Sequence, residues 1–450
     1  MWSRSPDEAL DVHRSPSPAP GPADVGQEPL RFRSEFCGPV DPLHVFAAAG
    51  RARRFYWEQP TAGRFRVGLG CAERLTARGP DRFARIEAAA LGHFGRVTWQ
   101  GDGPQLAQLV GGFAFAAGST NAAPWQGFPD GELRLPDLVY AGEGDVYWRQ
   151  SRLASAWSEL DIEPPRLGQP VRGSVEIHSN DARTYRDCVR RALAEIDAGR
   201  LDKVVIARAA RIKARSAIDA VAWLVALRER YPGCTLFAVG EGDSVFLGAS
   251  PERLVRLSGD TVESAAIAGT APRGSSRVAD QAIGEALRQN AKNNEEHAIV
   301  VRHLVSALSE CCDTVEVDPA PRLLKTRTVQ HLYTGLRARR RAEAPASLLQ
   351  LVARLHPTPA VGGTPREAAL AWLAEHEPVA RGWFAGPVGF LQSDGDGEFV
   401  VALRSALVHG QGATAWAGAG IVAGSEPAAE FTETELKLRT VLGPLLWGAP

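Results

Sequence analysis

Lysine is scarce in this chain, which makes the position of each one informative. Of 51 basic residues only Lys203, Lys213, Lys292, Lys325 and Lys437 are lysines. Arginine keeps its proton in a protein, whereas a desolvated lysine can serve as a base. Lys203 opens the apolar run Lys203-Val204-Val205-Ile206-Ala207. To act as a base near neutral pH, such a lysine needs its pKa brought from ~10.4 towards ~7–8, which costs roughly 3–5 kcal/mol. An apolar strand and nearby cations are surroundings that do this. The competing reading is a strand-edge lysine whose ammonium reaches solvent. Glu252 lies in Ala249-Ser250-Pro251-Glu252-Arg253, at a junction between strands.

Two further acidic groups fall on helical segments. Glu430, Glu433 and Lys437 recur at i, i+3 and i+7 in the last helix, so they share one face. Ser425 suits its N-cap and Pro427 its first turn. Glu295-Glu296-His297 precedes Ala298-Ile299-Val300-Val301 in an earlier helix. Each group read alone is a solvated charged face. Together, two helices offering carboxylates can hold a hard divalent cation such as Mg²⁺, which takes one or two protein carboxylates plus water and substrate oxygens. Gly418-Ala419-Gly420-Ile421-Val422-Ala423-Gly424 imitates a dinucleotide fingerprint. A Rossmann unit needs a further strand with an acid about 20 residues on, and only a helix and a short tail follow. The glycines instead imply a close approach of backbone to something else.

The elements that must position these groups are strands and helices in separate runs. Residues 1–30, rich in Pro, Ser, Asp and Ala, are expected to be a disordered tail. From about Phe32 to Leu160 the pattern is short strands and turns. Asp161–Gly173, with three prolines and two glycines, is the expected junction between an N-terminal part (31–175) and a second region (176–445). Helices are expected near 182–198, 276–290, 294–309, 346–355, 365–376 and 427–442. Hairpins are expected at Gly240–Asp243 and Gly259-Asp260, with further strands near 322–334, 384–392, 398–408 and 413–419. Segregated strands and helices favour an α+β fold with antiparallel sheets. The net charge of -1 provides no field for a nucleic acid, and no apolar run is long enough to span a bilayer. No secretory signal is visible, and the six scattered cysteines fit free thiols, so a cytoplasmic protein is expected.

In order, the motifs Lys203-Val204-Val205-Ile206-Ala207-Arg208, Ser250-Pro251-Glu252-Arg253, Ala268-Gly269-Thr270, Glu296-His297, Val329-Gln330-His331-Leu332, His356-Pro357-Thr358-Pro359-Ala360, Phe384-Ala385-Gly386, Ala402-Leu403-Arg404, Gly418-Ala419-Gly420-Ile421 and Glu430-x-x-Glu433-x-x-x-Lys437 closely resemble the chorismate-utilising enzymes. That family includes anthranilate synthase component I, aminodeoxychorismate synthase, isochorismate synthase and salicylate synthase. The resemblance covers 180–442 specifically and 32–175 loosely. It implies one α+β fold with two large antiparallel sheets, chorismate and Mg²⁺ between them, and no glutaminase subunit.

Ala360, where pyruvate-eliminating relatives typically carry threonine, points to the isochorismate-forming members, as do Lys203 and the run Glu375–Trp383. Phe384 departs from the tyrosine of many relatives and removes a hydroxyl. The implied reaction adds water at C2 of chorismate and expels the C4 hydroxyl. Lys203 would be base and Glu252 acid. Glu296 and Glu433 would bind Mg²⁺, with Glu430 helping through water. Ala268, Gly269, Thr270, His331, Ala360, Phe384, Arg404, Gly418, Gly420 and Lys437 would contact substrate. The product would feed menaquinone or siderophore synthesis. The alternatives are a salicylate-forming or ammonia-using relative, or an inactive binding paralogue.

Overall fold

The computed structural model describes residues 28–446 apart from 158, 159, 161, 166, 167, 172, 173, 180 and 181. The tail expected over 1–30 therefore lies outside the described residues up to position 27. Leu30 is not part of a tail, because it opens the strand Leu30–Phe36 and pairs with Val97.

The described strands form two sheets, one of 13 strands and one of 10. Pairing is antiparallel except where Leu30–Phe36 runs parallel to Val97–Gln100. The junction at Asp161–Gly173, partly outside the described residues, does not separate two sheets. Arg54–Gln59 from the first half pairs with Thr235–Glu241 in the larger sheet, and Gln108–Phe113 pairs with Pro387–Gln392 in the smaller. The α+β class is as expected.

Apolar side chains from the facing sheets meet in a continuous core. Trp57 of the larger sheet packs edge-on against Phe390 of the smaller, with ring centroids 5.2 Å apart. Burying a side chain of this kind contributes about 1.5–3 kcal/mol. A second core fills the space between the larger sheet and the helices Pro42–Ala48, Ala220–Arg230 and Pro427–Leu446, with Trp223, Leu227, Leu438 and Val441 among its members. Among the described residues no helix is long and apolar enough to cross a membrane.

The expected helices and hairpins of the second half form close to their anticipated places. Helix Ala182–Asp197 ends before Gly199, whose φ of 69° is left-handed, as a glycine just past a helix allows. Three helices were not legible. Ala220–Arg230 buries Ala220, Ala222, Trp223, Leu224 and Leu227, an apolar surface too broad to leave a 3.6-residue stripe. Pro42–Ala48 is two turns long, and Arg82–Phe94 buries a narrow face at Phe83, Ile86 and Ala90. The strand expected over 398–408 is two strands, Gly397–Val401 in one sheet and Ser405–His409 in the other. The chain crosses between them at Leu403-Arg404, where Arg404 has φ 50°.

Candidate active site

Lys203 is the first residue of the strand Lys203–Ala214, between Gly412–Ile421 on one side and Gly363–Thr364 on the other. Its side chain is fully buried, so the solvent-reaching alternative fails. Its Nζ lies 3.0 Å from Glu296 Oε1, a residue of the helix Ala291–Ser309. Gly420 is what lets these elements approach. A Cβ there would lie 2.3 Å from Glu296 Oε1 and 3.0 Å from Lys203 Cε. The neighbouring acids of the same motif part company: Glu295 is exposed beside Arg302, while His297 is buried against Thr334.

Three acids of these two helices each hold a lysine. Lys203 pairs with Glu296, Lys292 Nζ lies 2.5 Å from Glu430 Oε1, and Lys437 Nζ lies 2.7 Å from Glu433 Oε1. Lys437 also donates to the Gly418 carbonyl at 2.9 Å. Burial would raise the Glu296 carboxyl, but Lys203, Lys437 and Lys292 outweigh it and hold it below the ordinary range. Glu433 moves the other way. Burial raises it, and the charges of Glu296 and Glu430 add to the rise against the pull of Lys437. Burial works against the Lys437 charge, yet Glu433, Glu296 and Glu430 keep its ammonium above its usual value.

Among the described residues no three acids, histidines or cysteines converge as a ready-made metal cage. The donor set still suits a hard cation. It is all oxygen, it comes from two helices, and its carboxylates are close enough to repel one another.

Glu252 follows the strand Ser244–Ser250 and is 3% exposed. Its backbone N–H donates to Ser250 Oγ at 3.1 Å, and its carbonyl accepts from Val401 N at 3.0 Å. Desolvation pushes its carboxyl up to about 8, even though Lys203, Lys437 and Arg404 all pull it down. At neutral pH this is a protonated acid.

Between these groups lies a small cavity of about 80 Å³. Glu252 and Glu296 both line it. So do the expected contact residues Ala268, Gly269, Thr270, His331, Ala360, Phe384, Arg404, Gly418, Gly420 and Lys437. Lys203, Glu430 and Glu433 are not among the residues that line it. The register of Thr261–Pro272 on Val329–Arg340 slips between Ala268 and Thr270, at Gly269 with φ 72°. Such a bulge re-aims the next side chain.

Thr270 Oγ1 is 3.0 Å from His331 Nδ1, and Arg404 Nη2 is 2.7 Å from His331 Nε2. Arginine can only donate, so Nε2 accepts and Nδ1 carries the proton. Burial, then Arg404 and Lys437, keep the imidazole neutral. Arg404 itself is left-handed, as is Ala385 (φ 60°), the residue after Phe384. Strain of this kind in non-glycine residues gathers at functional sites. The loops are tied by Ala385 N–H to Ala402 O, 2.9 Å.

Phe384 stacks on Trp416, which stacks on Trp125. The sequence reading did not assign Trp416, Arg381 or Lys292 to the site. Trp416 sits two residues before Gly418, where strand alternation puts it on the same side, a signal that was available. Arg381 lies in the run Glu375–Trp383 that carries part of the resemblance, but its bonds to the Val205 and Val361 carbonyls were not legible, nor was the Lys292–Glu430 pair, because those partners lie outside any local pattern.

The chorismate binding enzyme family matches residues 25–446. The salicylate biosynthesis isochorismate synthase of Pseudomonas aeruginosa is 37% identical, over 93% of this chain and 90% of that protein. Among solved structures, the menaquinone-specific isochorismate synthase of Escherichia coli superposes with a TM-score of 0.76 at 28% identity, covering 97% of this chain and 98% of that one. Anthranilate synthase component I of Streptococcus pneumoniae, at 19% identity and a TM-score of 0.65 over 97% of each chain, shares the fold.

Proposed function

Because the chain belongs to the chorismate-binding enzyme family, we propose that it is an isomerase that converts chorismate to isochorismate. The observation that carries this reading is a buried carboxyl raised to about 8, Glu252, facing the same cavity as Glu296, whose carboxylate pairs with Lys203. Acid–base chemistry at one pH needs two environments that push protonation states apart, and this cavity provides them.

Water attacks C2 of the ring, the C1=C2 electron pair moves to C1=C6, the C5=C6 pair moves to C4=C5, and the C4 hydroxyl leaves. Glu252 gives its proton to the departing hydroxyl, which leaves as water. Lys203 takes a proton from the attacking water, so water is neither gained nor lost overall. After each turnover Lys203 holds one proton more and Glu252 one fewer, and exchange with solvent resets them. Lys203, paired with Glu296 in the structure, can accept that proton only as the neutral amine, so its own proton must first pass to solvent once Glu296 is engaged elsewhere. Mg²⁺ held by Glu296 and Glu433, with Glu430 through water, would supply positive charge for the ring carboxylate. Arg404, fixed by neutral His331, and Lys437 offer cations to the enolpyruvyl carboxylate, together with the Gly418–Gly420 backbone. Positioning and fixed charge then carry the rate.

Ala360, on the cavity wall, favours simple isomerisation over a pyruvate-eliminating relative. On this reading the protein works in the cytoplasm without a glutaminase subunit, and its product serves menaquinone or siderophore synthesis. The test is incubation of purified protein with chorismate and Mg²⁺, with both isochorismate and pyruvate measured. Isochorismate with little pyruvate is expected. Substantial pyruvate or salicylate would overturn the assignment, and binding without turnover would favour an inactive paralogue.

A further inference from the structure

The strand that carries Lys203 has an incomplete outer edge. Lys203 and Val204 pair there with Thr364 and Gly363, and Ala210 to Ala214 pair with Ser179 to Val175. Between them, among the described residues, no strand pairs with residues 205–209 on that edge. Unpaired backbone groups in a buried strand are costly, so their partners have to come from somewhere.

The Gly362 carbonyl accepts from the Val205 N–H at 2.8 Å, and two side chains supply further partners. Glu377 Oε1 accepts from the Ala207 N–H at 2.7 Å. Arg381 Nη2 donates to the Val205 carbonyl at 2.6 Å. The two residues are themselves paired, Arg381 Nε to Glu377 Oε2 at 2.7 Å and Nη2 to Glu377 Oε1 at 2.6 Å. Arg381 Nη1 then reaches across to the Val361 carbonyl at 2.7 Å, in the loop that carries Ala360. The guanidinium is 2% exposed and lies 4.0 Å from the Phe115 ring centroid. It lines the cavity beside Val205, Ala207, Ala360 and Val361.

We propose that Arg381 and Glu377 are positioning residues for the reaction, a side-chain pair that replaces the missing stretch of edge strand and fixes the Lys203 strand against the Ala360 loop. This rests on the isochorismate-forming reading above. The pair spans the two walls whose spacing sets where the ring sits relative to Lys203. A planar, forked guanidinium can hold two carbonyls and a carboxylate at once. A lysine ammonium, with three donors at one point, cannot span them.

The consequence is a kinetic signature that structural loss alone does not give. In Arg381→Lys, kcat should fall about 10²-fold with KM little changed, since ~1 Å of misplacement costs that much in rate. The pyruvate fraction should also shift, because the Ala360 loop is no longer held. Glu377→Gln keeps one acceptor and should show a smaller fall of the same kind. Arg66→Lys is the reference. Arg66 is equally buried and paired with Glu143 away from the cavity, so its variant should lose thermal stability with native kcat per folded molecule.

The native protein is assayed first, and absence of isochorismate there would overturn the reading on which the pair's role rests. If the native enzyme works, folded Arg381→Lys with native kcat and product ratio would overturn the inference alone. So would a fall in kcat that only tracks lost folded fraction, as in Arg66→Lys. Should Arg381→Lys fail to fold, Glu377→Gln decides by the same two readouts.

Discussion

Glu252 and Glu296 line one cavity and both feel Lys203, yet their carboxyls move in opposite directions. Glu252 is pushed up to about 8 by desolvation. Glu296, also desolvated, is pulled below its ordinary range by Lys203, Lys437 and Lys292. The difference is contact. Glu296 has an ammonium 3.0 Å away, whereas Lys203, Lys437 and Arg404 act on Glu252 only through longer-range charge. Coulomb attraction offsets burial when a partner touches, and loses to it when the partner stands further off. One end of the cavity therefore keeps a proton and the other keeps a charge.

That asymmetry can be broken most completely at its charged end. Activity should vanish in excess chelator and return with Mg²⁺, and full turnover in chelator would remove the metal role from Glu296 and Glu433. Glu433→Gln should weaken the Mg²⁺ dependence far more than Glu435→Gln, since Glu435 pairs with buried Arg208 instead.

Removing the lysine that both acids sense comes next. Lys203→Ala should lower kcat by roughly 10²-fold or more, as loss of a positioned base does. Lys203→Arg should fail nearly as badly, and a near-native arginine variant would reduce the residue to a fixed charge.

The protonated end can be sharpened by pH. With its acid at about 8, kcat should fall as pH rises through that value, and Glu252→Gln should lose both activity and this alkaline limb. Stability follows with a definite sign. The folded carboxyl keeps its proton to about 8 while the ordinary value is 4.5, so its contribution is full below 4.5 and is lost as pH rises through 8. Glu252→Gln should therefore melt above the native protein at pH 9 and gain less at pH 5. Equal shifts at both pH values would contradict the raised carboxyl.

The smallest expected effect is at Ala360 on the cavity wall. Ala360→Thr should give less isochorismate and a higher pyruvate fraction, because one methyl-plus-hydroxyl is worth ~1–3 kcal/mol between ring poses. An unchanged ratio in a folded variant would make Ala360 a packing residue. The reading has a specific basis, since Ala360 lines the cavity and its N–H donates to Thr358 Oγ1 at 3.2 Å.

Local pattern settled a good deal before any fold was known. The apolar run after Lys203, the 3.6-residue stripe of 182–198, the turn signals at Gly259-Asp260 and the i, i+3, i+7 face of Glu430, Glu433 and Lys437 are properties of short segments, and the chain obeys them. The ordered motifs likewise placed the family, because side chains that must meet one small molecule are constrained in type whatever lies between them. Tertiary structure decided the rest. Whether Lys203 reaches solvent or Glu296, whether Glu252 keeps its proton, and which side chains complete the edge at Ala207 depend on elements up to hundreds of residues apart. Burial and charge contact are sums over neighbours in space, and a linear pattern holds no term for them.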